Sequence, residues 1–217
     1  MKTPVCVFGG TFNPPHLGHV RACLDAADEI GVTKVGLMPA KVPPHKQTHG
    51  VAEQHRVAMV NLTCNTSSRL YPELIELALP EPSYTVKTLQ ALRDKNPEAP
   101  LIFIMGEDSW QNLTSWYQWS RLTQFCHLVI LKRATQNKAL AAELAELAEQ
   151  QGTQSLEPLH SELSGRIYFA QTCLQPVSST QLREWLNTNA NTPYVATVGD
   201  WVSDSVLHYI KENRLYV

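Results

Sequence analysis

Little in this sequence points to disulfides, metal cages or membranes. Its five cysteines, Cys6, Cys23, Cys64, Cys126 and Cys173, are scattered through 217 residues, odd in number and without a Cys-x-x-Cys pair. Each lies in or beside apolar sequence, so they read as small buried hydrophobes in a reducing cytosol. No apolar run is long enough to span a bilayer and the N-terminus lacks a signal-peptide pattern, so a cytoplasmic protein is expected. The formal net charge is −2, from 18 Lys and Arg against 20 Asp and Glu. Without a global basic field, nucleic acid is not expected as the main partner, and neither is a membrane. No repeat, low-complexity linker or compositional break divides residues 1–217, so a single domain is the economical reading.

What is present is an alternation of apolar runs and amphipathic stretches. That pattern predicts βα units and a doubly wound, Rossmann-like α/β fold, a parallel sheet with helices on both faces. Strands are expected at Val5–Phe8, Lys34–Met38, Leu101–Met105, His127–Leu131 and Ile167–Ala170. Helices are expected at Leu17–Ile30, Ala52–Asn65, Thr85–Lys95, Trp110–Trp119, Lys138–Gln151, Ser179–Asn187 and Ser203–Glu212. Leu70–Leu79 fits a strand or a strand plus turn, and Gly152–Gly165 reads as irregular. The run ALAAELAELAEQ reads as a solvated amphipathic helix.

The most informative stretch is GGTFNPPHLGH, Gly9 to His19, which follows the apolar run Val5-Cys6-Val7-Phe8. It lacks the Lys-Ser/Thr ending of a P-loop and the third glycine of the dinucleotide fingerprint. Glycines let the backbone approach a phosphate, and free N–H groups at a helix start attract anions. His16 and His19 share one helix face where that helix should begin, so both can donate to one phosphate chain. The plainer reading, that they only cap and solvate the helix end, suits a lone histidine better than this pair.

Several further segments fall where open α/β sheets bind ligands, at the ends of strands. Lys46 closes the proline-stiffened run Val42-Pro43-Pro44-His45-Lys46 in the loop Pro39–Gly50, and it is either a phosphate-reaching cation or a solvated loop lysine. Ser83-Tyr84-Thr85 is a helix-cap signal compatible with ligand binding. Gly106, with Asp108 close behind, follows a very apolar strand and suits a ribose-binding acid, or an N-cap by Asp108. Of the aromatics Trp110, Trp116, Tyr117 and Trp119, most belong in the core, with Trp116 or Tyr117 the candidate to stack on a flat ring. Lys132 and Arg133 leave a strand end as phosphate contacts or as solvated cations. In Ser178-Ser179-Thr180-Gln181-Leu182-Arg183, hydroxyls, helix amides and a guanidinium can converge on one phosphate chain.

With its His16-Leu17-Gly18-His19 signature the chain resembles the HxGH nucleotidyltransferases. Over almost its whole length it is similar to the bacterial nicotinate-nucleotide adenylyltransferases, through GGTFNPPHLGH, VPPHK, SYTVKTL, GEDSWQNLTSWYQW, HLVILKR and SSTQLR in order. The resemblance implies ATP and nicotinate mononucleotide as partners, Mg²⁺ arriving with ATP, no resident metal, and deamido-NAD and pyrophosphate as products. It places ATP along Gly9, Gly10, Thr11, Phe12, His16 and His19, with Gly106 and Asp108 on the adenosine side and Ser179, Thr180 and Arg183 on the phosphates. It assigns the pyridine nucleotide to Lys46, Thr85, Trp116, Tyr117 and Arg133, and charge stabilisation to His16, His19, Lys46 and Arg183. The nicotinate carboxylate would meet backbone N–H groups near Thr85 and Tyr117. Asn13 departs from the family's usual Asp, keeping a carbonyl acceptor without the charge that would organise metal-bound water. Two other readings stay open: an adenylyltransferase for nicotinamide mononucleotide, and a catalytically silent nucleotide-binding regulator. A monomer and a homo-oligomer are equally compatible with the sequence.

Overall fold

The computed structural model describes residues 2–41, 51–132, 140–172, 177–188 and 201–217. Six parallel strands form one sheet: β1 Val5–Gly10, β2 Val35–Pro39, β3 Leu70–Pro72, β4 Leu101–Gly106, β5 His127–Leu131 and β6 Ile167–Ala170. Their order is β3-β2-β1-β4-β5-β6, the doubly wound arrangement in which the chain reverses direction across the sheet at β1 and β4. Gly10 and Gly106 end these two neighbouring strands at the same edge, and that edge is where such sheets hold ligands.

The helices among the described residues are α1 Leu17–Glu29, α2 Glu53–Cys64, α3 Ile75–Ala78, α4 Thr85–Lys95, α5 Glu107–Gln111, α6 Leu122–Phe125, α7 Ala142–Gln151, α8 Glu157–Ser161, α9 Ser179–Thr188 and α10 Asp204–Glu212. Strand residues alternate between two covered faces. Cys6, Phe8, Ile102, Ile104, Val129 and Leu131 pack with Cys23 and Ala26 of α1. Val7, Leu101, Phe103, Met105, Leu128 and Ile130 pack with Val86 and Leu89 of α4 and Trp110 of α5. Burial on both faces explains why these strands read as unbroken apolar runs. A third cluster joins Met59 of α2, Leu182 and Leu186 of α9, and Val206, Leu207 and Ile210 of α10. Cys6, Cys23, Cys64 and Cys126 are buried free thiols, pushed up in pKa chiefly by that burial, and Cys173 lies outside the described residues.

Three expectations need correction. The helix expected over Trp110–Trp119 is broken into α5, two 3-10 turns at Leu113–Ser115 and Trp119–Arg121, and α6. Asn112 and Ser115 spend side-chain hydrogen bonds on nearby carbonyls, Asn112 Nδ2 donating to Asp108 O at 2.7 Å and Ser115 Oγ to Asn112 O at 2.7 Å. Gln118 adopts a left-handed backbone at φ 50°, which a continuous helix forbids. Second, Gly152–Gly165 is not all irregular, for α8 starts there with a proline in its first turn, too short to give a helical period. Third, α5 is capped by Gly106 and not by Asp108, which sits in the first turn with Glu107, where acids suit the helix dipole. Leu70–Leu79 resolves into β3 followed by the short α3. The expected solvated helix is α7, where only Leu144 is buried; the Lys138 end of that expectation lies outside the described residues.

Candidate active site

The phosphate-binding candidate begins where β1 runs out. Gly9 has no room for a side chain, since a Cβ would come within 2.5 Å of the Phe103 ring. Phe12 then turns with φ 48° and buries its ring, edge-on to Phe8 and to His19 at centroid distances of 5.7 and 5.2 Å. The ring of Phe12 is therefore a buttress beneath His19, and only its backbone is left to meet a ligand.

His16 and His19 open α1 through a reciprocal cap. His19 N–H donates to His16 Nδ1 and His16 N–H donates to His19 Nδ1, both at 3.2 Å. The rings stack with centroids 3.6 Å apart and planes 23° from parallel. An Nδ1 that accepts carries no proton, so this geometry assigns both rings the tautomer with N–H at Nε2. The two readings of the pair thus merge: the histidines cap the helix with one nitrogen, and the cap orients the other as a donor. Gly18 between them is required, because a Cβ there would lie 2.9 Å from His16 Nδ1 and 2.8 Å from Val177 Cγ1.

Helix α9 braces this loop from outside. Ser178 and Gln181 form a capping box, Gln181 N–H donating to Ser178 Oγ at 3.2 Å and Ser178 N–H to Gln181 Oε1 at 3.0 Å. Ser179 Oγ donates to Pro14 O at 2.9 Å, and Arg183 donates through one NH group to Asn13 O at 2.7 Å and through the other to Thr180 Oγ1 at 3.1 Å. Asn13 Oδ1 accepts the Tyr216 hydroxyl at 2.6 Å. Burial holds the Tyr216 hydroxyl well above the usual phenol range, so it stays a donor. The Asn13 carbonyl, weighed from the sequence for its bearing on metal-bound water, here anchors the segment that follows α10.

Across the same edge lies a cavity of about 320 Å³. Gly9, Gly10 and Thr11 form one wall, Tyr84 and Thr85 another, and Ser115, Trp116 and Tyr117 a third. Tyr117, 49% exposed, packs on Tyr84 with ring centroids 4.4 Å apart and planes tilted by 30°. Helix α4 starts here with Tyr84 as N-cap and no side-chain cap bond. This corrects the reading of Ser83-Tyr84-Thr85 as a hydroxyl cap: Ser83 Oγ donates instead to Glu76 Oε1 at 2.8 Å. An uncapped helix start facing a cavity offers amides that suit an anion.

Among the residues at the cavity that sequence reasoning missed, three are charged. Lys41 and Glu76 line it, and Arg56, 1% exposed, lies beneath, donating to Thr11 O at 3.0 Å and Ala40 O at 2.7 Å. Burial lowers the Arg56 pKa from its ordinary value. Only Lys41 carried a signal, its place in the loop Pro39–Gly50, and nothing in spacing tied it to Arg56 of α2 or Glu76 of α3. Lys46 and Arg133 lie outside the described residues. Gly106 fronts open space, where an added Cβ would meet no atom within 4 Å, and Asp108 is exposed beside it. Both stand at the strand edge without lining the cavity, which Ser109 lines instead.

A Rossmann-like sheet with a paired-histidine loop at its switch point suits a nucleotidyltransferase, and comparison with known proteins places the chain in that class. The family profile of Cytidylyltransferase-like proteins matches residues 7–185. A protein of Aeromonas salmonicida named "Probable nicotinate-nucleotide adenylyltransferase" is 36% identical over 216 residues, covering 100% of this chain and 98% of its own. A protein of the same name from Pectobacterium atrosepticum is 35% identical, with 100% of both chains covered. Among solved structures, Plasmodium falciparum nicotinic acid mononucleotide adenylyltransferase complexed with NaAD shares the fold at TM-score 0.71 and 15% identity, covering 99% of this chain and 98% of its own. The chain belongs to the cytidylyltransferase-like family and, within it, to the nicotinate-nucleotide adenylyltransferases.

Among the described residues no helix is long and apolar enough to cross a membrane.

Proposed function

We propose that this chain transfers the AMP unit of ATP to nicotinate mononucleotide, giving deamido-NAD and pyrophosphate. The observation that carries the reading is the meeting, at one sheet edge, of a phosphate loop with two oriented imidazoles and a cavity with an aromatic wall and an uncapped helix start.

An oxygen of the mononucleotide 5′-phosphate attacks the α-phosphorus of ATP in line. The P–O bond to the β-phosphate breaks, and its electron pair leaves with pyrophosphate. The attacking phosphate is already anionic, so no protein nucleophile or strong base is needed, and catalysis rests on positioning and charge stabilisation. The Nε2–H groups of His16 and His19 donate to phosphate oxygens as charge develops. Arg183 brings its guanidinium to the phosphate side through the same loop, and Lys46 supplies a further cation by family resemblance. Mg²⁺ enters as part of the MgATP substrate, held by phosphate oxygens and water as this small, hard ion prefers. Gly106 and Asp108 stand at the edge on the adenosine side. Trp116 or Tyr117 offers a face to the pyridine ring, and the first-turn amides at Thr85 suit the ring's carboxylate better than a neutral amide.

The test is pyrophosphate release with ATP and Mg²⁺, comparing nicotinate with nicotinamide mononucleotide. A strong preference for the acid is expected. Equal or reversed preference would move the acceptor to the amide, and no release with either would leave a nucleotide-binding regulator.

A further inference from the structure

The floor between the two halves of the site is a single hydrogen-bonded relay. The peptide unit joining Ala40 to Lys41 is gripped from both ends: Arg56 donates to its carbonyl oxygen at 2.7 Å, and its N–H donates to Glu76 Oε1 at 2.9 Å. The same Arg56 NH group reaches Thr11 O at 3.0 Å, in the phosphate loop. Glu76, 5% exposed, also accepts from Ser83 Oγ at 2.8 Å and Thr88 Oγ1 at 3.2 Å, beside and within the first turn of α4. Three donors thus fill a carboxylate that lines the cavity, with no cation in ion-pair contact among the described residues.

Such an acid is an odd wall for a cavity meant to take an anion, unless its work is to hold the wall. A buried carboxylate filled by hydrogen bonds costs little more to keep, whereas removing it strands the donors it satisfied. Two of those donors flank Tyr84 and Thr85, the residues whose amides begin α4.

We propose that Glu76 is a positioning residue for the acceptor: it fixes the Ser83–Thr88 segment so that the helix start presents its amides, and through the Ala40–Lys41 peptide and Arg56 it registers that segment against Thr11 of the phosphate loop. This rests on the proposed adenylyl transfer for the identity of the acceptor. The Glu76 carboxylate touches no reacting atom. Its charge is dispensable where its geometry is not, because a glutamine keeps an oxygen for Lys41 N–H and Ser83 while its NH₂ can donate to Thr88 Oγ1, a hydroxyl able to turn.

The experiment measures Kd for nicotinate mononucleotide by calorimetry, with KM for both substrates and kcat, in wild type, Glu76→Gln, Glu76→Ala and Ser83→Ala. Glu76→Ala is expected to weaken the mononucleotide about tenfold or more, the loss of one or two buried hydrogen bonds, with KM for ATP changed less than about twofold. Glu76→Gln should restore most of the affinity. Ser83→Ala, which removes one link, should fall between and decides the matter if Glu76→Ala fails to fold. Unchanged mononucleotide Kd in Glu76→Ala and Ser83→Ala overturns the inference. Equal loss for ATP and mononucleotide, in step with a lower Tm, also overturns it. Wild type without turnover would sink the adenylyl-transfer reading alone, since the Kd series still reads the role of Glu76.

Discussion

The glycine-histidine loop and the cavity opposite it, which the proposed reaction assigns to phosphates and acceptor, face each other across one sheet edge, yet they differ in how they are built. The loop's defining device is local: the reciprocal His16–His19 cap joins residues three apart, although Arg56, Ser179, Arg183 and Tyr216 brace the loop from elsewhere in the chain. The cavity is assembled at long range, with Lys41 meeting Glu76 across 35 residues and Arg56 meeting Thr11 across 45. A local device can be packed into a signature, as GGTFNPPHLGH shows. A distributed one leaves single residues of ordinary type at scattered positions. The loop should therefore fail through chemistry, and the cavity through affinity for one substrate.

The largest effect is expected at the loop. His19→Ala removes one oriented Nε2–H donor and half of the reciprocal cap, and kcat should fall on the order of 10²–10³, as for loss of a preorganised transition-state donor. Steady-state kinetics with pyrophosphate readout checks this, and near-normal turnover would end the role assigned to the pair. Gly18→Ala should come next. In an ordinary helix that change stabilises by about 1 kcal/mol. Here the new methyl would stand 2.9 Å from His16 Nδ1 and 2.8 Å from Val177 Cγ1. The ring must move, so kcat should drop about tenfold or more, while circular dichroism reports an intact fold.

Trp116→Ala tests the other side. Stacking of a ring on an aromatic face is worth roughly 1–3 kcal/mol, so the mononucleotide KM should rise about 5- to 150-fold with kcat and the ATP KM little changed. A fall in kcat equal to that of His19→Ala would erase the contrast between the two regions.

The same contrast explains what was legible in the sequence. The five longest strands were readable because residues buried on both faces leave unbroken apolar runs, as in Leu101–Met105. β3 was read only within the ambiguous stretch Leu70–Leu79, because Leu70–Pro72 offers one buried residue at the sheet edge. α1, α4 and α9 declared themselves through periodic apolar positions and starting signals. The segment after α5 did not, because Trp110, Trp116 and Trp119 mimic a helical stripe while Asn112, Ser115 and Gln118 dismantle the helix locally. The candidate site followed suit: His16, His19, Thr85, Trp116 and Tyr117, which the fold brings to one sheet edge, stood out in the sequence, whereas Glu76 looked like any acid on a short amphipathic turn. Its burial comes from α4 and the Ala40–Lys41 peptide, which no local pattern encodes.

The smallest effect separates fold from both regions. His127 opens β5 at the edge opposite the site and is fully buried. Its Nδ1 accepts Arg166 N–H at 3.1 Å and its Nε2 lies 2.9 Å from Glu162 O, an arrangement that fits only the neutral ring. Burial, opposed by Glu162 and aided by Arg166 and Arg93, pulls its pKa below the ordinary 6.5. Protonation then favours the unfolded chain, so the stability from the neutral ring is present above about pH 6.5 and is lost as pH falls from there through the lowered folded-state value. Tm should decline over that window in wild type and decline less in His127→Gln, which cannot titrate there. Because His127 touches neither the loop nor the cavity, kcat and both KM values at a pH of about 7.5, above that window, should match wild type. A kinetic defect in His127→Gln with unchanged Tm would mean that the far edge of the sheet takes part in positioning the site, and that the separation between scaffold and site is drawn in the wrong place.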